Sequence, residues 1–119
     1  MTRFLRTAFR WPLDRHKSIP VPPDGQDPTR AGVIVGSGVG GLQTRQTQHT
    51  TYMTKGLGRL SPFMIPQMIS NMASGLVGIA LGFKGANYGT VSACASAAHC
   101  LGDAFKWIRD GECDIMAAG

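Results

Sequence analysis

From Ser61 to Phe83 the chain runs for 23 residues without a charged side chain. A segment of that length suits either a bilayer, whose hydrocarbon layer is about 30 Å thick, or the interior of a folded protein. Gly78 and Gly82 stand at the spacing that lets spanning helices pack closely, which favours the first. Pro66, Gln67, Ser70, Asn71 and Ser74 favour the second, because they put polar or helix-breaking groups through the first half. The positive flanks are thin, with Lys55 and Arg59 before the segment and Lys84 after it. The expectation is a helix buried between layers or at a subunit interface. The alternative is a small membrane or interface protein with a single apolar helix at 61–83. Ser61-Pro62 places a capping residue before a helix-starting proline. Met64, Ile65, Met68, Ile69, Met72, Leu76, Ile79 and Ala80 then recur at three- and four-residue steps, which predicts one helix with a wide apolar face.

The flanking sequence alternates strand and helix signals. Gly32 to Gly36 is a short β-branched run that breaks into the glycine turn Ser37-Gly38-Val39-Gly40-Gly41. Gln43 to Arg59 is polar and poor in helical spacing, so a surface excursion with at most a weak helix is expected. Lys84 to Asn87 reads as a turn and Tyr88 to Ala93 as a small-residue strand. Ala95 to Arg109 is helical in composition and is stopped by Asp110-Gly111, after which Cys113 to Ala118 begins another strand. Strand, helix, strand, helix, strand implies an α/β fold with right-handed crossovers and a mostly parallel sheet covered by helices. With 119 residues the chain makes one domain at most. Five of its seven prolines fall between Trp11 and Arg30, so residues 1–28 read as a basic, proline-rich loop or disordered segment and 29–119 as the globular part.

Charge excludes some functions. The net +5 is spread as +3 over residues 1–30, +3 over 31–83 and −1 over 84–119, so no basic stripe forms and no nucleic-acid partner is expected. Arg3, Arg6 and Arg10 interrupt Met1 to Leu13, which is therefore no secretory signal. Three cysteines without such a signal point to reduced thiols in a cytoplasmic compartment. A plastid or mitochondrial location is the alternative if the basic start is a transit peptide.

Two constellations bear on chemistry. Gly36, Gly38 and Gly41 satisfy G-x-G-x-x-G after a strand, yet no Asp or Glu occurs between Asp27 and Asp103 to hold a ribose. The turn is read instead as one that needs positive φ and close backbone approach. No cofactor is expected. The second is Tyr88 to His99, a strand that delivers Cys94 to the amino end of a helix among Ala93, Ala95, Ser96 and Ala97. Helix N–H groups favour a thiolate there and can hold the oxyanion formed when it attacks a thioester carbonyl. The bland reading of such a cysteine is a small buried hydrophobe. At about 100° per residue, His99 lies about 140° around the helix from Cys94 and is no base for it. His99, Cys100 and Cys113 are read as structural or packing residues, and no metal site is expected.

Arg30 to Leu42, Leu60 to Pro66, Ser70 to Gly75 and Ser92 to Ser96 together resemble the β-ketoacyl-[acyl-carrier-protein] synthases, the condensing enzymes of fatty acid biosynthesis. The likeness is read from about Asp27 to Gly119, with residues 1 to about 26 outside it. It implies a partial thiolase-like fold, of which this chain supplies part of the amino-terminal half. It also implies an acyltransferase in which Cys94 takes an acyl group from acyl carrier protein. A decarboxylated malonyl unit on its own carrier then attacks that thioester. By the same resemblance the Cys94 N–H forms half of the oxyanion hole. Val39 falls at an acyl-channel position, and Met64 in a stretch that reaches the partner's channel in a homodimer. The family's two catalytic histidines, its lysine and its phenylalanine gate belong to a second half, and His16, His49 and His99 do not replace them. Ser96-Ala97-Ala98 stands where the family more usually has a glycine-bearing run. The expectation is a fragment that is inactive alone beyond self-acylation and prone to aggregate.

Overall fold

The computed structural model describes residues 25–119. Most of the expected proline-rich loop lies outside them. Three strands, β1 (Ala31–Ile34), β2 (Asn87–Tyr88) and β3 (Ile115–Ala118), form a parallel sheet in the order β2-β1-β3. Val33 pairs with both Asn87 and Ala117, so the shortest strand and the last flank the first. β1 is buried along its length, as suits the middle strand of a sheet covered on both sides.

The strand order fixes where the helices go. The chain steps from β1 to β2 in one direction, then from β2 past β1 to β3 in the other. Crossovers of one hand therefore put their helices on opposite faces. α3 (Met72–Leu81) covers one face, where Ala31, Val33 and Phe83 pack with Val77 and Leu81. α4 (Ser96–Arg109) covers the other, where Ile34 packs with Cys100, Ala104, Cys113 and Met116. The alternation of Val33 and Ile34 between two cores is the period of two expected of a strand.

Residues Gln43 to Arg59 depart from expectation. They contain α1 (Leu42–Lys55), a 14-residue helix that buries none of its residues. Its threonines tie back one turn: Thr50, Thr51 and Thr54 hydroxyls donate to the carbonyls of Gln46, Thr47 and Thr50. Because no face enters the core, no apolar period marks it in the sequence.

The single helix expected over residues 64–80 is two, α2 (Met64–Met68) and α3. Ile69 is extended between them, with φ −72° and ψ 138°. Ser61 is not the cap it was expected to be: α2 starts after Phe63 with no side-chain cap, and the Ser61 hydroxyl accepts the Phe63 N–H at 3.2 Å in the turn ahead of the helix. The break lies where three backbones converge: a Cβ on Gly40 would meet the Met68 carbonyl at 2.6 Å, and one on Gly89 would meet Asn71 Cα at 3.4 Å. The expected apolar face is also not the buried one. Ser74 and Gly78 face the sheet, with the Asn87 amide donating to the Ser74 carbonyl at 3.1 Å. Leu76 and Ile79 point outward, 59% and 78% exposed. Close helix-to-sheet approach selects small residues, so hydrophobicity alone gives the wrong face. The ten residues of α3 rise about 15 Å, half a bilayer's hydrocarbon depth. Among the described residues no helix is long and apolar enough to cross a membrane, which removes the support for the membrane alternative.

Candidate active site

The carboxyl ends of β1 and β2 lead into the two segments singled out above, the glycine turn and the cysteine segment. They lie side by side. Val35 and Ser37 N–H groups donate to the Tyr88 and Thr90 carbonyls at 3.3 and 3.2 Å, and Gly36 N–H donates to the Gly119 carbonyl at 2.7 Å. Of the expected 88–93 strand only Tyr88 joins the ladder, together with Asn87, which was expected in the preceding turn. Thr90 follows β1 further without being part of it.

After Thr90 the chain turns sharply. Ser92 has φ −147° and ψ 39°, and Ala93 has φ +48°. Ala93 is the one non-glycine among the described residues in the left-handed region, where an L side chain crowds its own carbonyl. A 3₁₀ turn over Ala93–Ala95 runs straight into α4, the Ser96 N–H donating to the Ala93 carbonyl. Cys94 sits on this turn and is exposed, whereas Cys100 and Cys113 are buried and all three thiols are free. The structure thus presents one thiol to solvent at the amino end of a 14-residue helix.

The turn is braced from two sides. The buried Ser96 hydroxyl accepts the Ser92 N–H and donates to the Ala93 carbonyl, both at 2.8 Å. Thr90 Oγ1 lies 3.0 Å from Cys100 Sγ and donates to the Ser96 carbonyl at 3.3 Å. His99, expected to be a structural or packing residue, is exposed, and its Nδ1 lies 2.7 Å from Ser92 Oγ. Beside it opens a cleft of about 420 Å³ lined by Thr90, Ser92, His99, Asp103 and Lys106 among others. A second cleft of about 290 Å³ shares Asp103 and Lys106 and reaches Tyr88 and Trp107. Trp107 Nε1 donates to Tyr88 Oη at 3.0 Å. Burial raises the Tyr88 pKa above its usual 10.0.

The glycine turn carries Val39, 66% exposed, and docks on α2. Gly41 N–H donates to the Met68 carbonyl at 3.1 Å, and a Cβ on Gly41 would overlap the Gln67 carbonyl. Gly40 has φ +82°. The Gly41 N–H at the cap of α1 is therefore taken by a backbone carbonyl and is not free to hold a phosphate. Met64, half-buried, opens the same α2. The structure so joins the elements bearing Val39 and Met64. Among the described residues no group of three His, Cys, Asp or Glu side chains could hold a metal ion. The braces Ser92, Ser96 and His99 were not legible as a unit, because small polar residues around a turn carry no sequence signal of their mutual contacts.

This arrangement of parallel sheet and covering helices is that of a ketosynthase, a thiolase-like fold. A beta-ketoacyl synthase from Burkholderia phymatum matches it at a TM-score of 0.63 and 25% identity over 76% of this chain and 22% of that one. A chain of a type II PKS acyl-carrier protein in complex with its ketosynthase bound to the hexaketide matches at 0.68, over 81% of this chain and 28% of that one. That second likeness is 20% identical and speaks for the fold alone. The sequence model described as Beta-ketoacyl synthase, N-terminal domain, matches residues 4–119. The chain belongs to the beta-ketoacyl synthase family. The match begins well before Asp27, so the likeness extends into the stretch that the sequence reading left outside it. The 3-oxoacyl-[acyl-carrier-protein] synthase 2 of Synechocystis sp. is 50% identical over 88 residues, 74% of this chain. The enzyme of the same name from Staphylococcus aureus strain N315 is 40% identical over all 119 residues. The chain spans 21% and 29% of the lengths of these two relatives.

Proposed function

We propose that this chain is the acyl-accepting part of a 3-oxoacyl-[acyl-carrier-protein] synthase in fatty acid biosynthesis, with Cys94 as the nucleophile. The observation that carries the reading is the exposure of Cys94 on a strained turn at the head of α4, while the other two thiols are buried. In the proposed reaction the Cys94 sulfur attacks the carbonyl of an acyl thioester on acyl carrier protein. The carrier's thiol leaves with the proton, and the acyl group stays on Cys94. Malonyl carrier then loses carbon dioxide, and its carbanion attacks the acyl carbonyl and expels the Cys94 thiolate to give a 3-oxoacyl carrier. The Cys94 N–H is one of the two donors of the oxyanion hole that holds the transient oxyanion.

Val39 is assigned to the wall of the acyl channel, and Met64 to the stretch that reaches a partner subunit's channel in a homodimer. The docking of the glycine turn on α2 supports treating them together. The carrier as partner is supported by the names of the 50% and 40% identical relatives, both 3-oxoacyl-[acyl-carrier-protein] synthases. Three free thiols suit a cytoplasmic setting.

Decarboxylation needs groups that Cys94 cannot supply, and general acids and bases typically contribute 10²- to 10⁴-fold. The 119-residue chain is expected to acylate itself and to make no 3-oxoacyl product. Incubation with an acyl thioester and malonyl carrier, read by intact mass and product analysis, tests this. Condensation product from this chain alone overturns the expectation, and no acyl adduct on the wild-type chain overturns the assignment.

A further inference from the structure

His99 lies on α4 but serves no core, and its one hydrogen bond described above joins it to Ser92. That bond closes a circuit. Ser92 N–H is held by Ser96 Oγ, Ser96 Oγ by the Ala93 carbonyl, and the Ser92 carbonyl accepts the Ala95 N–H at 3.0 Å. Every contact in the circuit flanks Ala93, whose left-handed conformation persists only where its surroundings over-determine it. Ser96 braces the backbone from the buried side. His99 braces Ser92 from the exposed side, one helical turn further on. The bond its imidazole nitrogen makes is to Ser92 Oγ, so it acts on the turn without approaching the Cys94 thiol.

We propose that His99 is a positioning residue: through Ser92 Oγ it holds the left-handed turn at Ala93 and so fixes the direction in which the Cys94 thiol leaves the chain. The consequence for acyl transfer rests on the reading of Cys94 as nucleophile, whereas the dependence of the turn on His99 does not. Asparagine can stand in for this role, because its terminal amide group occupies the place of the imidazole Nδ1. Alanine cannot.

The test uses the isotopically labelled chain carrying Ile79→Glu, an exposed position on α3 whose change limits association of the chain. The Ala93 Cα and Cβ chemical shifts and the HN–Hα coupling report a left-handed φ, and acylation of Cys94 by hexanoyl-N-acetylcysteamine reports the thiol's placement. His99→Ala should abolish the left-handed signature and slow acylation about tenfold, within the ~10²-fold that an ångström of misplacement can cost. His99→Asn should restore both. Cys100 and Cys113 should stay closed to iodoacetamide in either variant. An unchanged Ala93 signature in His99→Ala overturns the proposal, as does failure of His99→Asn to rescue. Exposure of the two buried thiols in His99→Ala also overturns it, since the role would then be global. A turn that depends on His99 in a wild-type chain that takes no acyl group sinks the nucleophile assignment and sustains the positioning role.

Discussion

A methyl group on Gly36 would lie 2.7 Å from Ser96 Cβ and 3.2 Å from Cys100 Sγ. The end of the central strand and the first turn of α4 are thus as close as backbone permits. Because Ser96 also braces the turn that carries Cys94, the glycine after β1 sets the height of the thiol above the sheet.

Gly36→Ala is therefore expected to cost about 1–3 kcal/mol, the usual range for overpacking. Gly38→Ala serves as control: nothing lies within 4 Å of its Cβ position, and surface changes of that kind stay within about 0.5 kcal/mol. Urea unfolding of both variants checks the difference. Equal stabilities would show that α4 is not held at this distance.

The same contact explains how much could be read from sequence. β1, α4 and the sharp stop at Asp110-Gly111 follow from local signals, a β-branched run and a helical composition closed by Gly111 at φ +78°. The exposure of Cys94 follows from small neighbours at a junction. The inner face of α3 does not, since Ser74 and Gly78 are buried for their size and for the Asn87 amide. Nor does α1, whose amphipathic signal is missing because it packs on α2 and not on the sheet. The break at Ile69 is invisible for a related reason: its cause lies in Gly40, Gly41 and Gly89, far away in sequence.

Tyr88 gives a prediction on the alkaline side. Burial, aided by Asp103, raises its pKa, and the Trp107 N–H opposes this in part. A folded pKa above the unfolded one stabilises fully below pH 10.0 and is lost as pH rises through the folded value. In a Tyr52→Phe background, absorbance at 295 nm should show Tyr88 ionising above pH 10.0 in the folded chain. Trp107→Phe should move it higher still and cost about 1 kcal/mol for the lost hydrogen bond. Ionisation at or below pH 10.0 would contradict the buried phenol.

Arg30 clips the start of β1 to the start of β3, bonding Asp114 at 2.8 and 2.9 Å and the Gly111 carbonyl at 2.8 Å. Both charged side chains are more than 40% exposed. A double-mutant cycle with Arg30→Ala and Asp114→Ala is expected to give a coupling of at most about 1 kcal/mol. It should shrink in 1 M salt, where the screening length is about 3 Å. A larger, salt-independent coupling would mean a site drier than the structure shows.

Leu76 and Ile79 on the outer face of α3, with Phe63 and Ile65 nearby in sequence, leave an apolar surface open on this chain. Light scattering should find the isolated chain associating at micromolar concentration. Ile79→Glu should reduce that association without loss of helix content by circular dichroism. A wild-type chain that runs as a monomer would contradict the prediction.

Acyl transfer to one sulfur out of three is the most direct test. After incubation with hexanoyl-acyl carrier protein, peptide mapping by mass spectrometry should find the hexanoyl adduct on Cys94 and none on Cys100 or Cys113, and Cys94→Ser should abolish the thioester. An adduct spread over all three cysteines, or one that survives Cys94→Ser as a thioester, would contradict the account.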